Sequence, residues 1–457
     1  MSYHIPWGRF FLFLHVLCVL LTNIHHTSYG CSVEERAALM ELRSSLERAN
    51  TTAPRSWGRG GDCCSWERVN CSGSGSARRV SHLYLSKLYD ISTFPSTYTG
   101  RLFWSFNTTV FSAFSELQSL DLSSNSPSTL GSDGLVGLNL TKLQYLNLSS
   151  NWLGESILAP LGELVSLQVL DLNFNGMRGV LPVAVFENLR NLRELNLSDN
   201  QFNGSLPKNL LVLPHLKILD LSQNSLVGGI PISSFSDDEL ASLEVLNLSN
   251  NNMNGTLPTE QVEDTRGFTF DTKGNQYTYG FNFFDVMSGI DLCMNMLSGE
   301  IPWELGNLSH IKSLNLSNNF FSGQIPVSFA NMSDIESLDL SHNELTGSIP
   351  WQLTKLWMLE SFSVAYNNLS GCIPNSGQFG SFTAESYQGN GNLHSMSQGG
   401  GCSSHGSGAD DMPVEGSDRI EDDPVLYAVS AASFVLAFWA TVAFIVCHPV
   451  GRLVILR

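Results

Sequence analysis

Residues 120–125, LDLSSN, contain the pattern L-x-L-x-x-N that decides the fold. The chain holds ten copies, spaced by 24 to 27 residues apart from one interval of 44. A fixed period of this length predicts a solenoid, in which each coil contributes one short strand and packs on its neighbours. The asparagines that end the copies are Asn125, Asn151, Asn175, Asn200, Asn224, Asn251, Asn295, Asn319, Asn343 and Asn367.

In a leucine-rich repeat of this kind, each position of the L-x-L-x-x-N pattern has a distinct structural role. Both leucines of residues 120–125 point into the solenoid, whereas Asp121 and Ser123 point out on the concave side, because strand residues alternate. The asparagine carries two donors and an acceptor, so it can pair with backbone groups of its own coil and the adjacent coil. We therefore predict an asparagine ladder, in which each change of Asn to Ala costs about 1–3 kcal/mol.

A second motif follows the asparagines in register. Its glycine allows a turn and its proline fixes the outgoing backbone. This L-x-G-x-I/L-P element resembles the plant-specific class of leucine-rich repeat, which implies an α/β repeat solenoid that forms a right-handed superhelix with disulfide-capped ends. The copies lie at 204–207, 255–258, 299–302, 323–326, 347–350 and 371–374.

The N-terminal end of the solenoid needs a cap, and cysteines are concentrated there. Residues 32–35, SVEE, are typical of a capping box that opens a helix. Cys31, Cys63, Cys64 and Cys71 allow three pairings, of which the one that joins the adjacent Cys63 and Cys64 is disfavoured by strain. Zinc binding is the competing interpretation, but no histidine lies at ligand spacing and an oxidising compartment favours disulfides.

Both ends of the chain carry apolar stretches. Residues 10–21, FFLFLHVLCVLL, suit the core of a signal peptide, and Ser28 and Gly30 provide small residues for cleavage. Residues 425–447 carry no formal charge and are long enough to form one transmembrane helix. Acidic residues precede this stretch and arginines follow it, so we expect the ten-residue tail in the cytosol, where it is too short to fold as a kinase.

The composition narrows the functional class. There are 42 acidic and 24 basic side chains, which gives a net charge of −18 and makes nucleic acid an unsuitable partner. Nine cysteines and thirteen Asn-x-Ser/Thr sequons indicate the secretory route. No spacing typical of a catalytic, cofactor or metal site occurs, so we expect neither an enzyme nor a cofactor.

The interval of 44 residues contains an alternation of aromatic residues that predicts a strand, at Tyr277, Tyr279, Phe281 and Phe283. This segment resembles a shortened island of the plant leucine-rich repeat receptor-like proteins, which lack a kinase. The order of segments resembles that family over essentially the whole chain, as a shortened member. The resemblance implies the disulfides Cys31–Cys63 and Cys64–Cys71. Because residues 393–395, LHS, replace the family's Leu-Cys-Gly, Cys372 and Cys402 form the alternative pair at the C-terminal cap.

The family resemblance, together with the apolar stretches at both ends, predicts the following segments. They are a signal peptide at 1–30, an N-terminal cap at 31–80, repeats at 81–262, the island at 263–288, further repeats at 289–374, a C-terminal cap and Gly/Ser linker at 375–409, an acidic juxtamembrane stretch at 410–423, the transmembrane helix at 425–447 and a cytoplasmic tail at 448–457.

The candidate ligand-binding residues depart from the regular lining of the concave face. Aromatic residues and arginine are enriched at binding hot spots, and the departures are Tyr145, Phe174, Arg193, Lys217, His342 and Tyr366. Sequons at Asn147, Asn196, Asn247 and Asn315 fall on the column between the paired leucines, where glycans would obstruct the groove. The less obstructive glycosylation candidates are Asn50, Asn107, Asn139, Asn254, Asn307, Asn331 and Asn368.

The resemblance implies a single-pass type I receptor of the plasma membrane, with its ectodomain outside the cell. Such a receptor binds an extracellular peptide or protein ligand and signals in defence or development through a transmembrane receptor-like kinase as co-receptor. The alternatives are an extracellular inhibitor of a cell-wall-degrading enzyme, since secreted plant inhibitors share this repeat, and a decoy receptor that does not signal.

Overall fold

The computed structural model describes most of the repeat region. The described residues are 30–49, 51, 53–74, 78–88, 107–125, 140–231, 243–257, 268–272, 275–279, 288–394 and 402. The predicted signal peptide, the acidic stretch, residues 425–447 and the tail lie outside them, apart from Gly30. Among the residues that are described, no helix is both long and apolar enough to cross a bilayer.

Helices are short, apart from the one that opens the N-terminal cap. The α-helices are α1 Val33–Arg48, α2 Leu158–Leu161, α3 Val183–Asn188 and α4 Lys208–Leu211. The 3₁₀ helices are Cys63–Ser65, Thr108–Ala113, Glu155–Ile157, Trp303–Asn307, Val327–Asn331, Trp351–Lys355, Gly377–Gly380 and Ala384–Tyr387.

The strands are equally short, because each coil has room for a few extended residues on each side. They are β1 Val69–Ser72, β2 Arg79–Tyr84, β3 Ser119–Asp121, β4 Tyr145–Asn147, β5 Val169–Asp171, β6 Arg178–Val180, β7 Glu194–Asn196, β8 Gln201–Ser205, β9 Ile218–Asp220, β10 Ser225–Gly228, β11 Val245–Asn247, β12 Asn252–Thr256, β13 Phe268–Thr272, β14 Asn275–Tyr279, β15 Gly289–Asp291, β16 Met296–Glu300, β17 Ser313–Asn315, β18 Phe320–Ser322, β19 Ser337–Asp339, β20 Thr346–Gly347, β21 Ser361–Ser363, β22 Asn368–Cys372 and β23 Asn392–His394.

One long sheet joins the repeat strands in the order β1-β2-β3-β4-β5-β7-β9-β11-β15-β17-β19-β21. Its pairs are parallel, except the antiparallel pair of β1 and β2 in the cap. The register sets each leucine beside the equivalent leucine of the next coil, as in Leu120 beside Leu146 and Leu146 beside Leu170. The predicted plant-type repeat fold with parallel strands is confirmed.

The glycine-proline motif forms a second set of strands. Six of them make a parallel sheet in the order β18-β16-β12-β10-β8-β6, and β20, β22 and β23 make another. The motif's glycine has a positive φ wherever the structure describes it, for example 78° at Gly204 and 88° at Gly371. An L side chain rarely adopts that conformation, which accounts for glycine at this position.

A single apolar core runs between the sheets and the helices, from Cys31 to Tyr387. At its N-terminal end, Ser32 and Glu35 form the predicted capping box. Ser32 Oγ accepts from the Glu35 N–H at 3.1 Å, and the Glu35 carboxylate accepts from the N–H groups of Ser32 and Val80 at 2.8 and 3.0 Å. Burial raises the pKa of the Glu35 carboxyl, although these two N–H donors oppose the shift.

Disulfides close both caps. Cys31 bonds Cys63 and Cys64 bonds Cys71, which are the pairs that the family resemblance implies. Cys372 bonds Cys402 at the other end, across a Cα–Cα distance of 5.8 Å. The expectation of disulfide-capped ends is confirmed.

Candidate ligand-binding surface

The asparagine ladder fixes the turn after each repeat strand. Asn200 donates through Nδ2 to the carbonyls of Leu172 in the preceding coil and of Leu197 in its own coil, both at 3.0 Å. Its Oδ1 accepts from the N–H groups of Asn175 and Met177. Every one of these groups is buried, so the ladder pairs backbone atoms that water cannot reach.

We call the residues between the paired leucines the inner column. Their side chains serve the turn as well as the surface, because Asp121 Oδ1 accepts from the N–H of Ser123 at 2.9 Å and Asn147 Oδ1 accepts from both N–H and Oγ of Ser149. This local role accounts for the regular Asp and Asn. The inner column is Asp121, Asn147, Asp171, Asn196, Asp220, Asn247, Asp291, Asn315, Asp339 and Ser363.

The acidic members of the inner column lie in one row. Burial raises the pKa of the Asp171 carboxyl, and the charges of Asp121 and Asp220 raise it further, while the N–H of Asn173 opposes the shift. Cys293 occupies the position after Leu292 in its repeat, and burial followed by its hydrogen bond to Asp291 raises the pKa of the thiol to about 12. A thiol of that pKa is protonated at neutral pH, which fits a packing role.

We call the residues immediately before the ladder asparagines the rim. All ten have a left-handed backbone, with φ between 52° and 58°. That conformation costs a residue other than glycine about 1–2 kcal/mol. Asn and Asp tolerate it best, yet the rim also holds bulky residues. The rim is Ser124, Ser150, Phe174, Asp199, Gln223, Asn250, Met294, Asn318, His342 and Tyr366.

Aromatic rings associate along the rim. The His342 and Tyr366 rings stack with centroids 4.3 Å apart and planes 20° apart. Phe174 meets Trp152 edge to face at 5.8 Å. Phe174, Tyr366 and Trp152 are exposed, so these rings offer preformed apolar contact area.

Further apolar side chains are exposed beside the rim in the four coils that follow the island. Met294 belongs to the rim itself, and Met296 and Phe320 open the second strands β16 and β18 two residues beyond it. With His342 and Tyr366 they define what we call the C-terminal rim. Sequence analysis missed Met294, which precedes a ladder asparagine, and Met296, Phe320 and Trp152, each of which follows one.

The six residues predicted from the sequence do not form one site. Phe174, His342 and Tyr366 lie on the rim, while Arg193 and Lys217 lie at the opposite edge of the long sheet, just before β7 and β9. They occupy different offsets in the repeat, which separates them across the face. Lys217 also forms an ion pair with Glu244 in the next coil. Tyr145, in β4, is half-buried.

The island contributes a hairpin of β13 and β14, with Phe270 opposite Tyr277 and Phe268 opposite Tyr279. Tyr277 and Tyr279 therefore lie in a strand, whereas Phe281 and Phe283 lie outside the described residues. Among the glycosylation candidates, Asn50 and Asn139 are also outside them. The other candidates are exposed at Asn107, Asn254, Asn307, Asn331 and Asn368.

Polar clusters do not suggest a metal site in the part of the chain that the structure describes. No group of three His, Cys, Asp or Glu side chains there could hold an ion.

Comparison with known proteins agrees with the repeat geometry. The model for the leucine-rich repeat N-terminal domain matches residues 33–72, and leucine-rich repeat models match 142–164, 165–226, 242–260 and 309–369. The chain therefore contains a leucine-rich repeat N-terminal domain and leucine-rich repeats.

Curated relatives include plant receptor-like proteins. Receptor-like protein 56 of Arabidopsis thaliana is 31% identical over 183 residues, which cover 38% of this chain and 18% of that protein. Cuscuta receptor 1 of Solanum lycopersicum is 60% identical over 45 residues, 10% of this chain and 4% of that one. The resemblance to plant receptor-like proteins is confirmed, and the chain spans less than a fifth of the length of these relatives.

Solved structures show the same repeat architecture. The ectodomain of the Arabidopsis thaliana receptor kinase GASSHO1/SCHENGEN3, in complex with CASPARIAN STRIP INTEGRITY FACTOR 2, matches with a TM-score of 0.51 at 33% identity, over 63% of this chain and 31% of that one. A plant ice-binding protein matches with a TM-score of 0.53 at 25% identity, over 80% of this chain and 96% of that one. Because these two neighbours differ in function, the fold alone does not decide it.

Proposed function

We propose that the chain is a cell-surface receptor that binds an extracellular peptide or protein and signals through a partner kinase. The observation that carries the proposal is the C-terminal rim, where Met294 and Met296 are exposed on the first coil after the island, Phe320 on the second and Tyr366 on the fourth. Scattered apolar residues need no explanation, but a preformed group on one edge of a solenoid marks an interaction surface.

The backbone of the rim supports this proposal. His342 and Tyr366 keep ring side chains at a position where φ is 55° in both residues. Asn would relieve that strain, as at Asn250 and Asn318, so folding does not favour the rings there. Their stacked arrangement, in contrast, suits a hot spot for a partner's apolar side chain.

The relatives support the proposed class of ligand and the proposed location of the ectodomain. The matching segments belong to plant receptor-like proteins, and the GASSHO1/SCHENGEN3 ectodomain was solved with a partner named as an integrity factor. By this analogy the ectodomain lies outside the plasma membrane, anchored by residues 425–447. The proposed kinase partner follows from the family resemblance alone.

The test is purification of the tagged full-length chain from membranes of its native tissue, followed by identification of bound kinases and peptides. We expect a transmembrane kinase and an extracellular peptide to copurify with the unmodified chain. A double variant with Phe320→Ser and Tyr366→Ala should lose the peptide. The control variant Val165→Ser, at an exposed site outside the rim, should retain it. Absence of any kinase from the sample purified with the unmodified chain would refute the proposal.

The enzyme-inhibitor alternative makes a different prediction. If the solenoid inhibits a cell-wall-degrading enzyme, the purified chain alone should slow a polygalacturonase without any kinase. A decoy would retain the peptide but no kinase, so the purification and the inhibition assay together separate the three functions.

A further inference from the structure

The six-stranded parallel sheet of the glycine-proline motif ends at β6. β6 pairs with β8 on one side, where Arg178 lies opposite Gln201 and the Gln201 N–H donates to the carbonyl of Met177. In a parallel pair of this register, Gly179 directs its N–H and C=O toward β8, whereas Arg178 and Val180 direct theirs away from it. Among the described residues, nothing pairs with the backbone groups of Arg178 or Val180. The edge of β6 therefore presents two free donors and two free acceptors.

This edge is open because the preceding coil has no second strand. After Asn151 the chain enters the 3₁₀ helix Glu155–Ile157 and then α2, at the place where the later coils form a strand. A Cβ built on Gly179 meets no atom within 4 Å, whereas a Cβ built on the equivalent glycine of each later coil meets the coil before it. Those glycines are Gly204, Gly228, Gly255, Gly299, Gly323, Gly347 and Gly371. The space that a neighbouring strand fills in the later coils is thus accessible beside β6.

An open groove of about 520 Å³ lies along the edge. Besides β6, its lining consists of Glu155, Leu158 and Ala159 from the preceding coil and of Pro182 and Val185 from the same coil. One side of the groove thus offers backbone hydrogen-bonding groups, and the rest is mainly apolar. This combination suits an extended polypeptide, which can satisfy the edge groups with its own backbone.

The side chains of β6 select the chemistry of such a segment. Arg178 and Val180 are two residues apart in a strand, so they lie on one face, and both are exposed. The Arg178 guanidinium forms no ion pair within the part of the chain that the structure describes. Opposite charges and β-branched pairs stabilise neighbouring strands. Glu155 also lines the groove, so a segment with one acidic residue fits better than an acidic run.

We propose that the edge of β6 binds an extended segment of a partner polypeptide, which adds to the sheet as a further strand. The segment places an acidic side chain opposite Arg178 and a β-branched apolar side chain opposite Val180. The site lies on the coil of Asn175, before the island, so it is separate from the C-terminal rim. It does not depend on the proposed receptor function.

The experiment titrates the purified full-length chain into a fluorescein-labelled, amidated peptide of sequence VTETV and follows fluorescence polarisation. The peptide is symmetric about its glutamate, so the test does not depend on the direction of the added strand. We expect saturable binding and slower hydrogen exchange at the amides of Arg178 and Val180. The Gly179 amide, which already faces β8, should change little. A VTETV peptide methylated on its three central backbone nitrogens should bind at least about tenfold more weakly, equivalent to about 1.4 kcal/mol, because it lacks the donors.

Variants of the chain test the two parts of the interaction. Arg178→Glu should weaken VTETV binding by about tenfold and should bind the peptide VTKTV in its place. The matched control is Arg190→Glu, at an exposed site on the same coil outside the groove, which should bind VTETV as the unmodified chain does. Val180→Pro removes an N–H that faces away from β8 and should also weaken binding, whereas Val180→Thr keeps that N–H and should bind nearly as well.

Four outcomes would overturn the proposal. They are the absence of saturable VTETV binding by the unmodified chain, equal affinities for VTETV and VTKTV, an equal loss of affinity in Arg190→Glu, and binding without protection of the Arg178 and Val180 amides. Melting temperatures equal to that of the unmodified chain show that the variants fold. If Val180→Pro melts lower, the exchange of charge between Arg178→Glu and VTKTV decides the question.

Discussion

The asparagine ladder makes a quantitative prediction, because two of its members are matched in everything except one hydrogen bond. Asn200 and Asn319 are 7% and 6% exposed. Each donates through Nδ2 to three carbonyls, those of Leu172, Leu197 and Ser198 for Asn200 and of Leu292, Leu316 and Ser317 for Asn319. Replacing either by Ala therefore removes the same number of donated bonds.

The two residues differ on the acceptor side. Asn200 Oδ1 accepts from two N–H groups, of Asn175 at 3.2 Å and of Met177 at 3.0 Å. Asn319 Oδ1 accepts only from the N–H of Leu297, since the N–H of Asn295 bonds the carbonyl of Asn318. Asn200→Ala thus removes the partner of one additional buried N–H.

A buried donor without a partner costs about 1–3 kcal/mol. We expect Asn200→Ala to lower the free energy of unfolding by about 2–4 kcal/mol and Asn319→Ala by about 1–2 kcal/mol less than that. Urea unfolding of the two purified variants measures the difference through the midpoint, provided that the slope stays constant. Hydrogen exchange should also be faster at the Asn175 N–H in Asn200→Ala than at the Asn295 N–H in Asn319→Ala, because only the Asn295 N–H keeps its acceptor, the carbonyl of Asn318. An equal loss of stability in both variants would refute this account of the ladder.

Three further experiments test other parts of the structure. Because the pKa of the Asp171 carboxyl is raised in the folded state, its contribution to the free energy of unfolding falls as pH rises through that pKa. Asp171→Asn keeps an acceptor for the Asn173 N–H and should remove this fall. The measurement compares urea midpoints of the two proteins between about pH 4 and pH 7. Cys293, with a pKa of about 12, should resist iodoacetamide at neutral pH until the chain is unfolded, as mass spectrometry would show. Met294→Asn should raise stability by about 1 kcal/mol, since Asn tolerates the φ of 54° there, and an unchanged melting curve would contradict the strain argument.

Features that depend on one repeat could be predicted from the sequence. The leucines, the ladder asparagine and the turn glycine each act within a coil or toward its neighbour, so their spacing is sufficient. The pairs Cys31–Cys63 and Cys64–Cys71 came from the family resemblance, because spacing and strain left two of the three pairings open.

Features that depend on the stacking of coils were not predictable in this way. From Asn200 to Asn343, each ladder N–H donates to the rim carbonyl of the next coil, whereas the N–H of Asn175 donates to the Asn200 side chain. The change coincides with the start of the second sheet at β6 and β8, which alters how successive coils meet. The C-terminal rim was missed for a related reason, since Met294 and Phe320 belong to different offsets that only the folded turn brings to one edge.

The sequons of the inner column bear on which surface a ligand can use. Asn147, Asn196 and Asn315 each accept through Oδ1 from the N–H of the sequon serine, at 2.9, 3.0 and 3.1 Å. A glycan is attached through Nδ2, so the turn can form whether or not the site is glycosylated. Sugars at these positions would nevertheless stand in the groove above the long sheet. A ligand laid across the inner column therefore requires unmodified asparagines, whereas one bound at the C-terminal rim and the exposed ends of β16 and β18 is compatible with either state.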